Sequence, residues 1–274
     1  MIPPRFDYLR ANSVEHALAL LAEHGDDAKL LAGGHSLLPM MKVRLAAPAV
    51  LIDLGRVPGL DYIRLEGGML AIGALTRHAA LAASDLVGQH APLLRHAAGQ
   101  VGDPQVRHRG TIGGSLVHAD PAADLPMAAA ALEALMVVQG PGRERVITAE
   151  EFFLGYFTSA VGEDEILVEV RVPSRVGVGW GYEKFVRRAN DWAIVGVAAI
   201  GAGAEARVAL GNMAPTARRA RATEAALAGG ASIADAAALA DEGTEPQGDI
   251  HAAPEYRRHL AKVLTRRALE SAAA

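Results

Sequence analysis

Twice in this chain an apolar run breaks at a pair of glycines with a hydroxyl residue just beyond: "LLAGGHS" at Leu30–Ser36 and "TIGGS" at Thr111–Ser115. Paired glycines can take positive φ without a Cβ penalty and leave consecutive backbone N–H groups uncovered, which is how a chain cradles an anion. Thr111 and Ser115 add hydroxyl donors suited to phosphate oxygens. Two such loops on separate segments suit a ligand charged at two points, such as a pyrophosphate; a Gly-Gly pair alone is more often an ordinary tight turn. Neither has the G-x-G-x-x-G spacing, so a Rossmann dinucleotide fold is not supported.

The segments around these loops alternate between helical and strand periodicity. "NSVEHALALLAEHG" offers Asn12 or Ser13 as an N-cap, apolar residues at helical spacing and Gly25 as a stop. "AKLLAGG" and "AVLIDLG" read as short buried strands ended by glycine, with a turn and a short helix between them. "DYIRLEGGMLAIG" carries the two-residue hairpin signal at Gly67-Gly68. Helical stretches follow around Thr76–Ser84 and His90–Val101, then the second glycine passage, then the strand "EDEILVEVRVP" closed by Pro173. "GWGYEKFVRR" and "WAIVGVAAIGAGAEARVALGNM" continue as antiparallel hairpin material, and the chain past Thr216 is Ala-rich and helical. This predicts an α+β chain, not a doubly wound sheet, with units at 1–55, 56–175 and 176–274 and a boundary near Pro173–Gly179.

Composition narrows the chemistry. The 274 residues contain no cysteine, which excludes disulfides, thiol nucleophiles and protein-held iron–sulfur clusters within this chain, so redox work requires a bound organic cofactor. A formal net charge of -4 with interleaved signs is unlike the basic stripe of a nucleic-acid binder, and no nucleic-acid partner is expected. The N-terminal "MIPPRFDYLRANS" has no apolar export core, and the apolar stretch Trp192 to Ala204 is shorter than the roughly 20 residues of a membrane span. A cytoplasmic protein is the expectation. His35, His108 and His118 lie near the glycine loops but lack metal-ligand spacing, and no metal site is expected.

"LLAGGHSLLPMMKVRL", "QVRHRGTIGGSLVHADPAADLP" and "YEKFVRRANDWAIV" together resemble the FAD-binding medium subunit of the molybdenum hydroxylase (xanthine dehydrogenase) family, nearest to the carbon monoxide dehydrogenase medium subunit. The resemblance covers essentially the whole chain. It implies a vanillyl-alcohol-oxidase-like FAD-binding fold of two α+β subdomains, followed by a C-terminal α+β domain of antiparallel sheet and helices. It places FAD between the first two units and against the third.

On that resemblance Ala32, Gly33, Gly34, His35, Ser36 and Leu37 form one pyrophosphate loop, and Thr111, Ile112, Gly113, Gly114 and Ser115 form the other. Asp124 matches an acidic residue near the ribityl and adenosine hydroxyls; a helix N-cap is its other reading. Lys184 falls where the family often has a lysine near the flavin ring, although relatives place it one position earlier, at Glu183 here. It otherwise reads as a solvated strand lysine. Trp192 follows Asp191 where carbon monoxide dehydrogenase relatives tend to carry a tyrosine over one face of the isoalloxazine. If it stacks there, it obstructs a nicotinamide and favours a quinone or other carrier; plain core is the other reading. Arg107 and Arg109 suit phosphate neutralisation or a solvated, subunit-facing position.

The resemblance also implies partners: a large subunit with the molybdenum cofactor and a small subunit with two [2Fe–2S] clusters, in a heterohexamer of two copies of each. No group in this chain is expected to act on the substrate. Electrons are expected to run from the clusters through FAD to an external acceptor, with possible peripheral membrane association of the complex through that acceptor. The same subunit could serve a xanthine, aldehyde or N-heterocycle dehydrogenase, or stand alone as a flavin-binding protein.

Overall fold

The computed structural model describes residues 2–274. Its first sheet is parallel: Val50–Asp53 lies between Asp7–Arg10 and Ala28–Leu31. Parallel neighbours need crossovers. The first contains the helix Val14–His24, started by Ser13, whose hydroxyl accepts from the His16 amide at 3.0 Å, and ended at Gly25 with φ 51°. The return crossover contains Gly33–Ser36 and the short helix Leu37–Lys42. The first glycine loop therefore leaves the carboxyl end of a parallel strand, the edge where open α/β sheets commonly take ligands.

The second sheet is antiparallel, in the order Ile63–Glu66, Met69–Gly73, Ile166–Pro173, Leu135–Gly140, Arg143–Thr148. Gly67 and Gly68 turn its first hairpin, both at positive φ (56° and 79°), as the type I′ turn requires. A helical layer covers this sheet. Its innermost member, Asp124–Ala131, is buried at every position, and its side chains join the main apolar core with Leu70, Ile72, Met136, Val138 and Val170.

Trp180–Phe185, Val195–Ile200, Arg207–Gly211 and Arg218–Arg219 form the third sheet, antiparallel throughout. Alternate residues of Val195–Ile200 face two different cores. Val195, Val197 and Ala199 pack with the C-terminal helix Pro254–Ala273, while Ala198 and Ile200 join the core around Asp124–Ala131. Burial on both faces accounts for the continuous apolar run at this strand. The α+β class and the C-terminal antiparallel unit agree with the sequence.

The second glycine passage is not the free turn that the sequence suggests. Thr111 is an N-cap, its hydroxyl accepting from the Gly114 amide at 3.1 Å, and Ile112–His118 is a helix. The expected helix at Thr76–Ser84 begins at His78, the one expected at His90–Val101 is Pro92–Gln100, and a separate helix, Asp85–His90, precedes it. Pro92 cannot donate to a continuing helix and instead occupies a first-turn position. Past Thr216, where the sequence reads as helical throughout, the chain between the helices Arg221–Ala228 and Pro254–Ala273 is α-helical only at Ile233–Ala237.

Candidate cofactor site

A cleft of about 610 Å³ opens where the three sheets meet. This lies within the usual range for small-molecule sites, about 300–1,000 Å³. Ala32, Gly33, Gly34, His35, Ser36 and Leu37 line it, as do Thr111, Gly113, Gly114, Ser115, Asp124, Lys184 and Trp192. Ile112 does not: its side chain is buried in the main core and its amide donates to Thr76 O at 3.0 Å. Helix periodicity turns it inward, away from the cleft that its neighbours face.

The two loops offer donors differently. Among the described residues, the amides of Gly33, Gly34, His35, Ser36 and Leu37 donate to no acceptor in the chain, and the Ser36 hydroxyl makes no cap bond. Five successive uncommitted amides at a strand end, with Gly34 at φ 79°, form a ready anion cradle. In the second loop the amides are already committed: Ile112 to Thr76 O, Gly113 to Ala74 O at 2.9 Å, Gly114 and Ser115 to Thr111. That loop offers the cleft a small-residue surface and the Ser115 side chain, not a second nest.

Two glycines serve close approach. A Cβ on Gly33 would sit 2.4 Å from Arg109 O and 2.9 Å from Gly110 Cα, and one on Gly113 would sit 2.7 Å from Ala74 O. Glycine here lets the first loop rest against the end of Pro104–Arg109, and the helix Ile112–His118 against the end of Met69–Gly73. The first loop is thereby seated directly against the segment that leads into the second.

On the far wall, Asp124 occupies the first turn of its helix, beyond the N-cap Ala123. It is paired with Lys184, whose Nζ lies 2.9 Å from Oδ1, and it accepts a hydrogen bond from the Tyr182 hydroxyl. Lys184 also donates to Gln100 O at 3.0 Å. The side chains of Lys184 and Asp124 are only 9% and 8% exposed, so the solvated-lysine reading is set aside. Burial pushes the Asp124 carboxyl above its ordinary pKa against the pull of Lys184 and Tyr182, and burial beside Asp124 raises Tyr182 well above its usual value.

Trp192 is 71% exposed at the cleft margin, which excludes the plain-core reading. The backbone behind it is fixed: Asn212 donates to Ala193 O at 2.8 Å, and buried Arg257 donates to Ile194 O. Arg107 is committed to Val101 O and Gly102 O at 3.0 and 3.2 Å, while Arg109 is exposed. Among the described residues, no group of three His, Asp or Glu side chains is placed to hold a metal ion, and no helix is long and apolar enough to cross a membrane.

Two family matches span nearly all of the chain: the FAD binding domain in molybdopterin dehydrogenase over residues 4–175, and the CO dehydrogenase flavoprotein C-terminal domain over residues 180–272. The chain belongs to the FAD-binding flavoprotein subunits of the molybdopterin dehydrogenases. It is 44% identical over 282 residues to the carbon monoxide dehydrogenase medium chain of Hydrogenophaga pseudoflava, covering 99% of this chain and 98% of that one. It is 42% identical over 283 residues to the 6-hydroxypseudooxynicotine dehydrogenase complex subunit alpha of Paenarthrobacter nicotinovorans, covering 99% and 96%. The solved carbon monoxide dehydrogenase of H. pseudoflava that lacks the Mo-pyranopterin moiety matches with a TM-score of 0.96 at 46% identity, covering 99% of this chain and 98% of that one.

In this flavoprotein subunit several residues that line or support the cleft carry no motif. Tyr182 precedes Lys184 by two along a strand, so both face Asp124, and that alternation was the only available signal. Ala74, Gly110, Asn212 and Arg257 act through backbone contacts between distant segments, which single-sequence patterns do not encode.

Proposed function

We propose that this chain is the FAD-carrying medium subunit of a three-subunit molybdenum hydroxylase of the aerobic carbon monoxide dehydrogenase kind. A large subunit would hold the molybdenum cofactor and a small subunit two [2Fe–2S] clusters, in two copies each. When bound, FAD supplies the redox chemistry, taking electrons from the clusters and passing them to an external acceptor.

The observation that carries this reading is the run of five uncommitted amides at Gly33–Leu37, opening into the same cleft as Gly114 and the Asp124–Lys184 pair. A Cβ on Gly114 would meet only its own cap oxygen, Thr111 Oγ1 at 2.8 Å, and Ala32 Cβ at 3.9 Å, so that face of the helix leaves room for a bound group. The amides of the first loop would take the pyrophosphate oxygens, with Ser36 and Ser115 as hydroxyl partners. Asp124, held by Tyr182 and Lys184, keeps lone pairs for ligand hydroxyls, and Lys184 places positive charge in a water-poor wall where added electron density is stabilised. Trp192, at the margin, would cover one flavin face and favour an acceptor other than a nicotinamide.

Substrate choice belongs to the large subunit. The relatives named for carbon monoxide and for 6-hydroxypseudooxynicotine are 44% and 42% identical to this chain, a difference too small to rank substrates. Support for the carbon monoxide reading is the C-terminal family match together with the H. pseudoflava structure. Purification from the native host tests both levels. A flavin absorbance band at about 450 nm is expected, with a molybdenum-containing large subunit and an iron–sulfur small subunit co-purifying. A chain that stays colourless after FAD addition refutes the cofactor reading. A large subunit that oxidises a heterocycle but not carbon monoxide refutes only the substrate.

A further inference from the structure

Phe157 lines the cleft and has no part in the assignments above. It sits in the two-residue turn between the short paired strands Phe153–Gly155 and Thr158–Ser159. Its backbone is left-handed, with φ 52°, a conformation at ease for glycine or asparagine and strained for a bulky side chain. The ring is nevertheless 58% exposed. The turn thus holds an uncovered aromatic face over the cleft at a backbone cost, and outliers of this kind cluster where a bound group uses them.

The neighbour of this ring is His118, its centroid 5.1 Å away and its plane inclined at 38°. His118 ends the helix Ile112–His118 one turn beyond Gly114 and lines the cleft as well. Burial lowers its pKa against the pull of Asp120, which favours the neutral imidazole. Leu154 and Tyr156, exposed on the same hairpin, do not line the cleft. The aromatic pair therefore belongs to the cleft and not to the outer face of the hairpin.

Two parts of the cleft wall carry rings, and they differ in chemistry. Trp192 stands on the loop of the third sheet beside Asp191, with Lys184 on the strand before it. From Phe157 the chain runs on through Val161 to Ile166, which line the cleft where the first two sheets meet; there Leu54, Leu75 and Ile166 share one apolar core. A dinucleotide carries a second planar ring beyond its pyrophosphate, and a purine suits an apolar slot with an aromatic face.

We propose that Phe157, seated on His118, is the stacking platform for the purine ring of the dinucleotide. This deepens the FAD reading of the cleft and rests on it. Trp192 then serves the flavin and Phe157 the purine, with the amides of Gly33–Leu37 taking the pyrophosphate.

The full chain, freed of flavin, is titrated calorimetrically with FAD, with ADP, which has the purine but no flavin, and with FMN, which has the flavin but no purine. Phe157→Gly removes the ring and relieves the turn. It is expected to weaken FAD and ADP about tenfold, the effect of one lost base–aromatic stack, and to leave FMN within about twofold. The flavin-free variant should melt no lower than wild type, whereas a merely structural role for the ring would lower it. Phe157→Tyr keeps the stack and should stay within about threefold for all three ligands. Phe157→Asn, which also tolerates this backbone, carries the test if the glycine variant does not fold. Unchanged FAD affinity in the glycine or asparagine variant overturns the assignment, as does a loss shared by FMN. A wild-type chain that binds no FAD overturns the cofactor reading and this inference with it; wild-type binding with unaffected variants overturns this inference alone.

Discussion

Lys184→Met removes the charge from the buried pair on the far wall and keeps most of the side chain's length. Removing one partner of a buried ion pair typically costs about 3–5 kcal/mol, because the other charge stays in a poorly solvated place. Here Asp124 has an exit, since it can take up a proton. From an ordinary pKa of 3.8 that costs about 1.4 kcal/mol per pH unit, about 4 kcal/mol at pH 7 and under about 2 kcal/mol at pH 5. Protonation therefore caps the charge-dependent loss at those values. The lost bond from Lys184 to Gln100 O adds about 1 kcal/mol at every pH.

The sign of the pH dependence follows from linkage. Burial already raises Asp124 above its ordinary value while Lys184 pulls it down; in the variant that pull is gone and the native value rises further. The native state then holds its proton to higher pH than the unfolded chain does. Stability is retained below 3.8 and falls as pH rises through the raised native value. Urea denaturation of the flavin-free chain should show Lys184→Met less stable than wild type by about 3–4 kcal/mol at pH 7 and about 2 kcal/mol at pH 5. A gap that stays constant across this range, or stays below about 0.5 kcal/mol, refutes the argument. Adding Asp124→Asn should recover part of the loss, because the two substitutions share one interaction.

Gly33→Ala drives a methyl group to 2.4 Å from Arg109 O, and both surfaces are backbone; a stability loss of about 1–3 kcal/mol and a large loss of FAD affinity should appear in melting and flavin titration. Trp192→Ala removes an exposed ring, so the melting temperature of the flavin-free chain should hardly move, while flavin fluorescence and acceptor kinetics of the loaded complex should change; unchanged spectra would count against stacking. Arg257→Met strips Ile194 O of its buried donor and should cost about 2–3 kcal/mol in urea denaturation, with flavin retention reduced through the segment that carries Trp192.

What was legible in the sequence was local. Ser13 and Gly25 bound a helix, Gly67-Gly68 turn a hairpin, and Pro173 closes a strand, because each feature is set by near neighbours along the chain. The first glycine loop was legible for the same reason, as a strand end with an uncommitted backbone. The second was misread because a Gly-Gly pair inside a short helix looks like a turn until the cap is seen: Thr111 and the tight packing of Gly113 on Ala74 stabilise a helix that propensity disfavours. Tyr182 with Asp124 joins residues 58 apart, and no local pattern predicts that pair. The resemblance to a known family supplied Asp124 and Lys184, but not the ion pair between them.

The helix Asp124–Ala131 is tied to the C-terminal sheet at both ends. At its start Asp124 takes Tyr182 and Lys184; just past its end Glu133 takes Arg207 at 3.1 Å and Arg219 at 3.3 Å, with Arg175 at 3.0 Å. Between these ties Met127 packs on Gly196 and Gly211, so helix and sheet meet through small residues with few bulky side chains to fix the register. Polar ties at the two ends then set how the sheet sits along the helix, and with it where Lys184 and Trp192 stand over the cleft. Glu133→Gln keeps the shape but weakens three arginine contacts at the end remote from the cleft. Flavin should dissociate about threefold faster from this variant, although Glu133 does not line the cleft. A dissociation rate equal to wild type, measured by trapping released flavin with a flavin-binding apoprotein, would show that the Asp124 end alone positions the sheet.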